Sequence, residues 1–232
     1  MNKYSKKLLR LLITLNILNI INSQTVSSEY MREGFENIIK YKDSRNIIVA
    51  GLIISRLGSN YDTHLQNINR SKNILSKELS IFGDYWGITN QFILWSSISG
   101  VQRKEKRRYI INSFLVNGLV TYGIKFATKR IRPDGSNKRS FPSGHTSNSF
   151  LGATIIQNIY GTDIGLPAYL FASITGLSRI NDNKHYLSDV VFGAALGVGI
   201  ATAFNHLYEK EIMNIDGSSP KKSFKLNYSW TF

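Results

Sequence analysis

The segment Ser140-Phe141-Pro142-Ser143-Gly144-His145-Thr146 decides how this chain reads. Proline in the first turn of a helix gives up no useful N–H, and serine there can cap the orphan amides. Pro142 and Ser143 therefore mark a helix start, and the apolar run behind them carries a helix from Thr146 to Tyr160. Gly144 lets the backbone approach a bound group closely. His145 stands at the mouth of the helix, where unpaired N–H groups and a partial positive charge favour an anion. Taken alone, such a turn is most often a capped helix start with a surface histidine.

The flanking segments change that reading. Upstream, Lys125 and Arg132 lie seven residues apart, which sets both cations on one face if their helix persists that far. Pro133 then ends it. Downstream, Ser178-Arg179 precedes His185, and Asp189 follows four residues later, a spacing that brings carboxylate and imidazole together on one helical face. Three cations, two histidines, a carboxylate and a helix start suit a phosphate-like oxyanion with an activated nucleophile beside it.

In this order, Lys125-x6-Arg132-Pro133, Pro142-Ser143-Gly144-His145 and Ser178-Arg179-x5-His185-x3-Asp189 resemble the three-part signature of the phosphatidic acid phosphatase type 2 superfamily. That superfamily includes membrane lipid phosphatases, soluble bacterial class A acid phosphatases and vanadium-dependent haloperoxidases. The resemblance covers about the central third of the chain, and every motif position is filled. It implies a phosphoric ester or diphosphate hydrolase that uses neither metal nor cofactor. His185 is then the nucleophile that forms a phosphohistidine, and Asp189 holds its imidazole. His145 protonates the leaving oxygen and afterwards activates water. Lys125, Arg132, Arg179, Ser143 and the Gly144 amide bind the phosphate oxygens. Two alternatives stay open. One is vanadate-dependent halide oxidation, although haloperoxidases of this kind are generally much longer. The other is a non-catalytic binder of phosphate or anionic lipid, against which the intact His185–Asp189 pair argues.

Composition sets wider bounds. A chain of 232 residues suits one domain of moderate size. With no cysteine it has neither disulfides nor thiolate metal sites. The formal charge of +14 suits an anionic membrane surface or a phosphorylated substrate. Nucleic acid ranks last as a partner, because no nucleic-acid motif is present.

Residues 1–23 read as a signal peptide: Lys3, Lys6, Lys7 and Arg10 precede the apolar run Leu11 to Ile21. Its removal takes the formal charge from +14 to +10. Residues 24–212 form the phosphatase domain and 213–232 a tail, in which Leu226, Tyr228, Trp230 and Phe232 alternate with polar residues as in a strand. Between them, helices are expected over Gly87 to Gly100, Tyr109 to Lys125, Thr146 to Tyr160, Ile164 to Leu177 and His185 to Tyr208. The run Arg103 to Arg108 reads as a solvated loop. The fold expected is an all-α, antiparallel helical bundle with a short extended C-terminal arm. Short connections alternate helix ends between two poles. Lys125, His145, Arg179 and His185 thereby collect at one pole, and residues 103–108, 161–163 and 209–211 at the other.

Uncharged windows from Tyr85 to Gln102, Phe141 to Thr162 and Val190 to Tyr208 approach the ~20 residues that a bilayer requires. A mean hydropathy of −0.15 is low for a polytopic membrane protein. The balance favours an exported enzyme, membrane-associated or soluble in the periplasm, over a fully embedded one. Val190 to Phe204 is the best candidate for membrane contact. The substrates compatible with this reading are lipid phosphates or diphosphates of the envelope, lipid A phosphates and small phosphomonoesters.

Overall fold

A computed structural model of the chain describes residues 26–71 and 73–216, so the expected signal peptide and the strand pattern from Lys221 to Phe232 lie outside the described residues. The described chain forms α1 (Ser28–Lys40), α2 (Lys42–Gly58), a 3-10 turn (Ser59–Tyr61), α3 (Asp62–Ser71), α4 (Lys77–Ser97), α5 (Arg103–Thr128), α6 (Gly144–Tyr160), α7 (Thr162–Asn181) and α8 (Leu187–Asp216). Among these residues there is no strand, and the all-α expectation holds.

Local chemistry sets several boundaries differently from the sequence reading. The charged run Arg103 to Arg108 is the opening of α5, not a loop. Lysine, arginine and glutamate are good helix formers, and the Arg107 guanidinium lies 4.9 Å over the Trp95 ring. At its other end α5 stops at Thr128, where Lys129 turns into the left-handed region (φ 48°) and donates its N–H to Lys125 O. Arg132 is therefore not on the helix of Lys125, and the shared helical face is corrected to a helix end and a loop. The last helix starts at Leu187, so His185 sits in the preceding loop. That helix runs on to Asp216, beyond the end expected at Tyr208.

The bundle is built around α8. Phe192, Leu196, Ile200, Phe204 and Leu207 on it are all buried, against Tyr109 and Ile110 of α5 and Leu151 and Ile155 of α6. Removing this surface from water is the main stabilising term. Small residues let α6 lie unusually close. A Cβ at Gly197 would stand 2.1 Å from Ser147 O, so only glycine fits that crossing. The small residues of Val190 to Phe204 are thus explained by packing. Among the described residues two helices, α5 and α8, are long and apolar enough to cross a membrane, but α8 is the more buried of the two. One exposed apolar stripe lies on α5, at Leu115, Leu119, Tyr122 and Phe126, and α2 exposes Val49, Leu52, Ile53 and Leu57 as well.

Cross-links mark the two poles. At one, Tyr41 stacks on His206 with ring centroids 4.4 Å apart, and Arg108 pairs with Glu211 at 2.7 Å. At the other, Ser55 Oγ donates to Ser188 O at 2.8 Å, and Asp62 Oδ1 accepts the Ser188 N–H at 3.0 Å. The second pole carries the three motifs.

Candidate active site

The loop Arg139 to Ser143 is fastened on three sides. The buried Lys125 ammonium donates to Arg139 O at 2.8 Å, to Pro142 O, and at the longer distance of 3.5 Å to Ser140 O. Phe141 stacks on Phe192 of α8, with centroids 4.9 Å apart. The Ser143 N–H donates to Asp189 O at 3.0 Å. These bonds fix the start of α6, and with it the position of His145.

His185 is held from the other side. Its N–H donates to Arg179 O at 3.1 Å, and its side chain is almost wholly buried. Nδ1 lies 3.6 Å from Asp189 Oδ2, a close approach longer than a hydrogen bond. Asp189 has no exposed surface, and its carboxylate is otherwise occupied. Oδ1 accepts from Arg130 Nη1 at 2.6 Å, and Oδ2 accepts from Ser140 Oγ at 2.5 Å and from the Tyr186 N–H at 2.9 Å. Burial pushes the His185 imidazole down to about 4, and the charge of Lys125 adds to this against the opposing pull of Asp189. Burial thus disfavours the charged form of the ring.

His145 faces a carboxylate that the motifs do not contain. Its Nε2 lies 3.3 Å from Asp84 Oδ1, and the same oxygen accepts from Arg179 Nη1 at 2.5 Å. Arg179 also donates through Nη2 to Asp182 at 2.8 Å. Asp84 sits on α4 beside Gly87, where a Cβ would stand 2.8 Å from the His145 ring, so the absence of a side chain there makes room for the imidazole.

A cleft of about 320 Å³ unites the central groups: Lys125, Arg132, Gly144, His145 and His185 all line it. Arg132 Nε and Thr121 Oγ1 are buried with no hydrogen-bond partner among the described residues. Buried polar atoms are ordinarily paired, so this pair of donors suits an oxyanion. Ile88, Phe114 and Tyr122 line the same cleft and give it an apolar side.

Three predicted residues stand apart from the cleft lining. Asp189 backs His185. Arg179 reaches the site through Asp84. Ser143 is buried with its hydroxyl 2.8 Å from Thr146 Oγ1, and it makes no side-chain bond to the helix amides, so the capping role expected for it is not seen. Conversely, sequence reasoning missed Asp84, Arg130, Asp62 and Thr121. Arg130 bridges two buried carboxylates, donating to Asp189 and, at 2.7 Å, to Asp62. A signal for Asp84 did exist, since it is the sole charged residue between Glu78 and Arg103.

The pole of this helical bundle gathers two histidines, a buried carboxylate and several cations around one small cleft, a set of groups able to hold an oxyanion. Residues 108–213 match the family model described as the PAP2 superfamily, which bears out the resemblance carried by the three motifs. A lipid A 1-phosphatase of Porphyromonas gingivalis is 44% identical over 87 residues, 36% of this chain and 19% of that protein. Lipid phosphate phosphatase 1 of Arabidopsis thaliana is 28% identical over 158 residues, 50% of this chain and 48% of that protein. The chain thus spans less than two thirds of the length of these curated relatives. Two solved structures share the fold. LpxE of Aquifex aeolicus has a TM-score of 0.53 at 23% identity, covering 62% of this chain and 93% of that one. A transmembrane PAP2-type phosphatidylglycerolphosphate phosphatase of Bacillus subtilis has a TM-score of 0.56 at 18% identity, covering 72% and 96%.

Proposed function

We propose that this protein is a phosphatase of the cell envelope that hydrolyses phosphorylated lipids through a phosphohistidine on His185. The observation that carries the reading is the buried His185 imidazole, with Asp189 3.6 Å behind it, lining one cleft with His145 and Arg132. In this reading His185 Nε2 attacks phosphorus, and the bond from phosphorus to the leaving oxygen breaks. Asp189 stabilises the positive charge that develops on the ring. His145 gives its proton to the leaving oxygen, then takes one from the water that attacks the phosphohistidine. Arg132, Thr121 Oγ1 and the Gly144 amide stabilise the equatorial oxygens, where transition-state charge is spread. Lys125 adds charge to the cleft wall and holds the loop of Ser140 and Pro142. Arg179 acts through Asp84 and His145.

A lipid substrate is favoured over a small soluble phosphoester by the apolar residues Ile88, Phe114 and Tyr122 in the cleft and by the exposed stripe on α5. The names of the relatives point the same way. Membrane association follows from that stripe and from the basic excess. Export by residues 1–23, with the helical domain beginning at residue 24 and the active pole facing the periplasm, completes the proposal. The test is phosphate release from a panel of phosphatidic acid, a prenyl diphosphate and p-nitrophenyl phosphate by wild type and His185→Ala. Release from the lipids by wild type alone supports the reading, whereas undiminished release by His185→Ala sinks it.

A further inference from the structure

A second concentration of positive charge lies beside the cleft. Where α5 ends, Lys129 leaves in the left-handed conformation, and the chain returns through Asn137, Lys138 and Arg139. These residues surround a recess of about 400 Å³, together with Phe126 and Lys125. Lys129, Lys138 and Arg139 are exposed and have no carboxylate partner among the described residues; the acid of the same loop, Asp134, is taken by Lys184 at 2.7 Å. The Arg139 guanidinium lies 5.5 Å over the Phe126 ring, which orients its plane. Lys125 lines both the recess and the cleft, so one side chain is their common wall.

Three cations around one concavity repel each other and are relieved by a dianion, most of all one with several acceptor oxygens. The apolar stripe of α5 leads to the same place. Leu115, Leu119, Tyr122 and Phe126 follow helical spacing, all exposed, and Phe126 is itself part of the recess. An amphiphile lying along this stripe brings its head group to the recess and the cleft together.

We propose that this recess is a second anion subsite, which holds a phosphate that is not being cleaved while another occupies the cleft. The inference rests on the phosphatase reading above. The second phosphate belongs either to the same substrate, a bisphosphorylated amphiphile, or to a neighbouring anionic lipid.

The test uses the full chain in neutral detergent micelles and the variant Lys129→Gln/Lys138→Gln. Arg139 is left intact because its guanidinium packs over Phe126, at the end of the apolar stripe. Amphiphiles of equal chain length with one or two phosphates are compared, with p-nitrophenyl phosphate as control. The subsite predicts a KM about tenfold lower for the bisphosphate, or an equal stimulation of monophosphate turnover when anionic lipid is added. The first result identifies the substrate as the source, and the second the neighbouring lipid. The double variant loses the effect and keeps p-nitrophenyl phosphate turnover. Neither effect in wild type, or an effect that survives in the variant, overturns the proposal. Calorimetric titration of the His185→Ala protein with the two amphiphiles, with and without the lysine substitutions, reads the same difference without turnover. A wild type that releases no phosphate but binds the bisphosphate tenfold more tightly thus fails the phosphatase reading and keeps the subsite.

Discussion

Asp84 Oδ1 accepts a hydrogen bond from Arg179 Nη1 at 2.5 Å while standing 3.3 Å from His145 Nε2. One carboxylate on α4 thereby ties the end of α7 to the start of α6. It holds the imidazole that is proposed as proton donor, and the pairing with His145 first, then the charge of Arg179, keeps the acid below the usual carboxylate range. Asp84→Asn retains the shape and removes the charge. The expected outcome is a kcat about tenfold lower on alkyl phosphates, a fraction of the 10²–10⁴ that general acid catalysis supplies. p-Nitrophenyl phosphate, whose leaving group needs little protonation, loses much less. Equal losses on both substrates contradict the role.

Gly87 tests the same imidazole by shape. A Cβ at this position meets the His145 ring at 2.8 Å, so Gly87→Ala displaces the ring or the helix. Steady-state kinetics are expected to show kcat down about tenfold, from misplacement of a catalytic group. KM changes less, because Arg132 and Thr121 lie on elements other than α4 and α6. An unchanged kcat removes His145 from the mechanism.

Arg130 is expected to matter for stability. It joins the buried Asp189 to the buried Asp62, which in turn accepts from Ser188 N–H and Oγ at the start of α8. Removing one member of a buried charge network leaves carboxylates unpaired. Arg130→Gln is therefore expected to cost on the order of 3 kcal/mol, read as a lowered midpoint in denaturant melts. A midpoint within error of wild type contradicts the bridging role.

The buried His185 makes stability depend on pH in a definite direction. Its folded pKa of about 4 lies below the ordinary value of 6.5. Between these values the unfolded chain binds more protons, so stability is full above about pH 6.5 and falls as pH drops toward 4. The loss across the whole window is on the order of 3 kcal/mol. Melting at pH 7 and pH 4.5, with His185→Asn beside wild type, is expected to show a smaller acid penalty for the variant. A penalty of equal size in both proteins contradicts the burial argument.

Much of this was legible before any coordinates. The alternation of helix ends placed Lys125, His145, Arg179 and His185 at one pole, and the structure gathers them there. The boundaries were less legible: the charged stretch of Arg103 to Arg108 reads as loop by composition, yet packing of Arg107 on Trp95 and pairing of Arg108 with Glu211 make it helix. Spacing placed His185 and Asp189 on one helix; they meet although His185 precedes α8, because the loop hydrogen bond to Arg179 O brings the ring back. Asp84, Arg130 and Asp62 escaped because their hydrogen-bond partners lie 58 to 126 residues away in sequence. No local pattern encodes such pairings.

The most direct measurement is trapping in an alkaline denaturing quench with a substrate labelled in its phosphate, followed by mapping of the labelled peptide at alkaline pH. The account predicts base-stable, acid-labile phosphate on His185 in wild type, its retention in His145→Ala, and its loss in His185→Ala. Label that persists in His185→Ala, or that maps to any other residue, contradicts a nucleophile in the loop before α8 and with it the whole assignment.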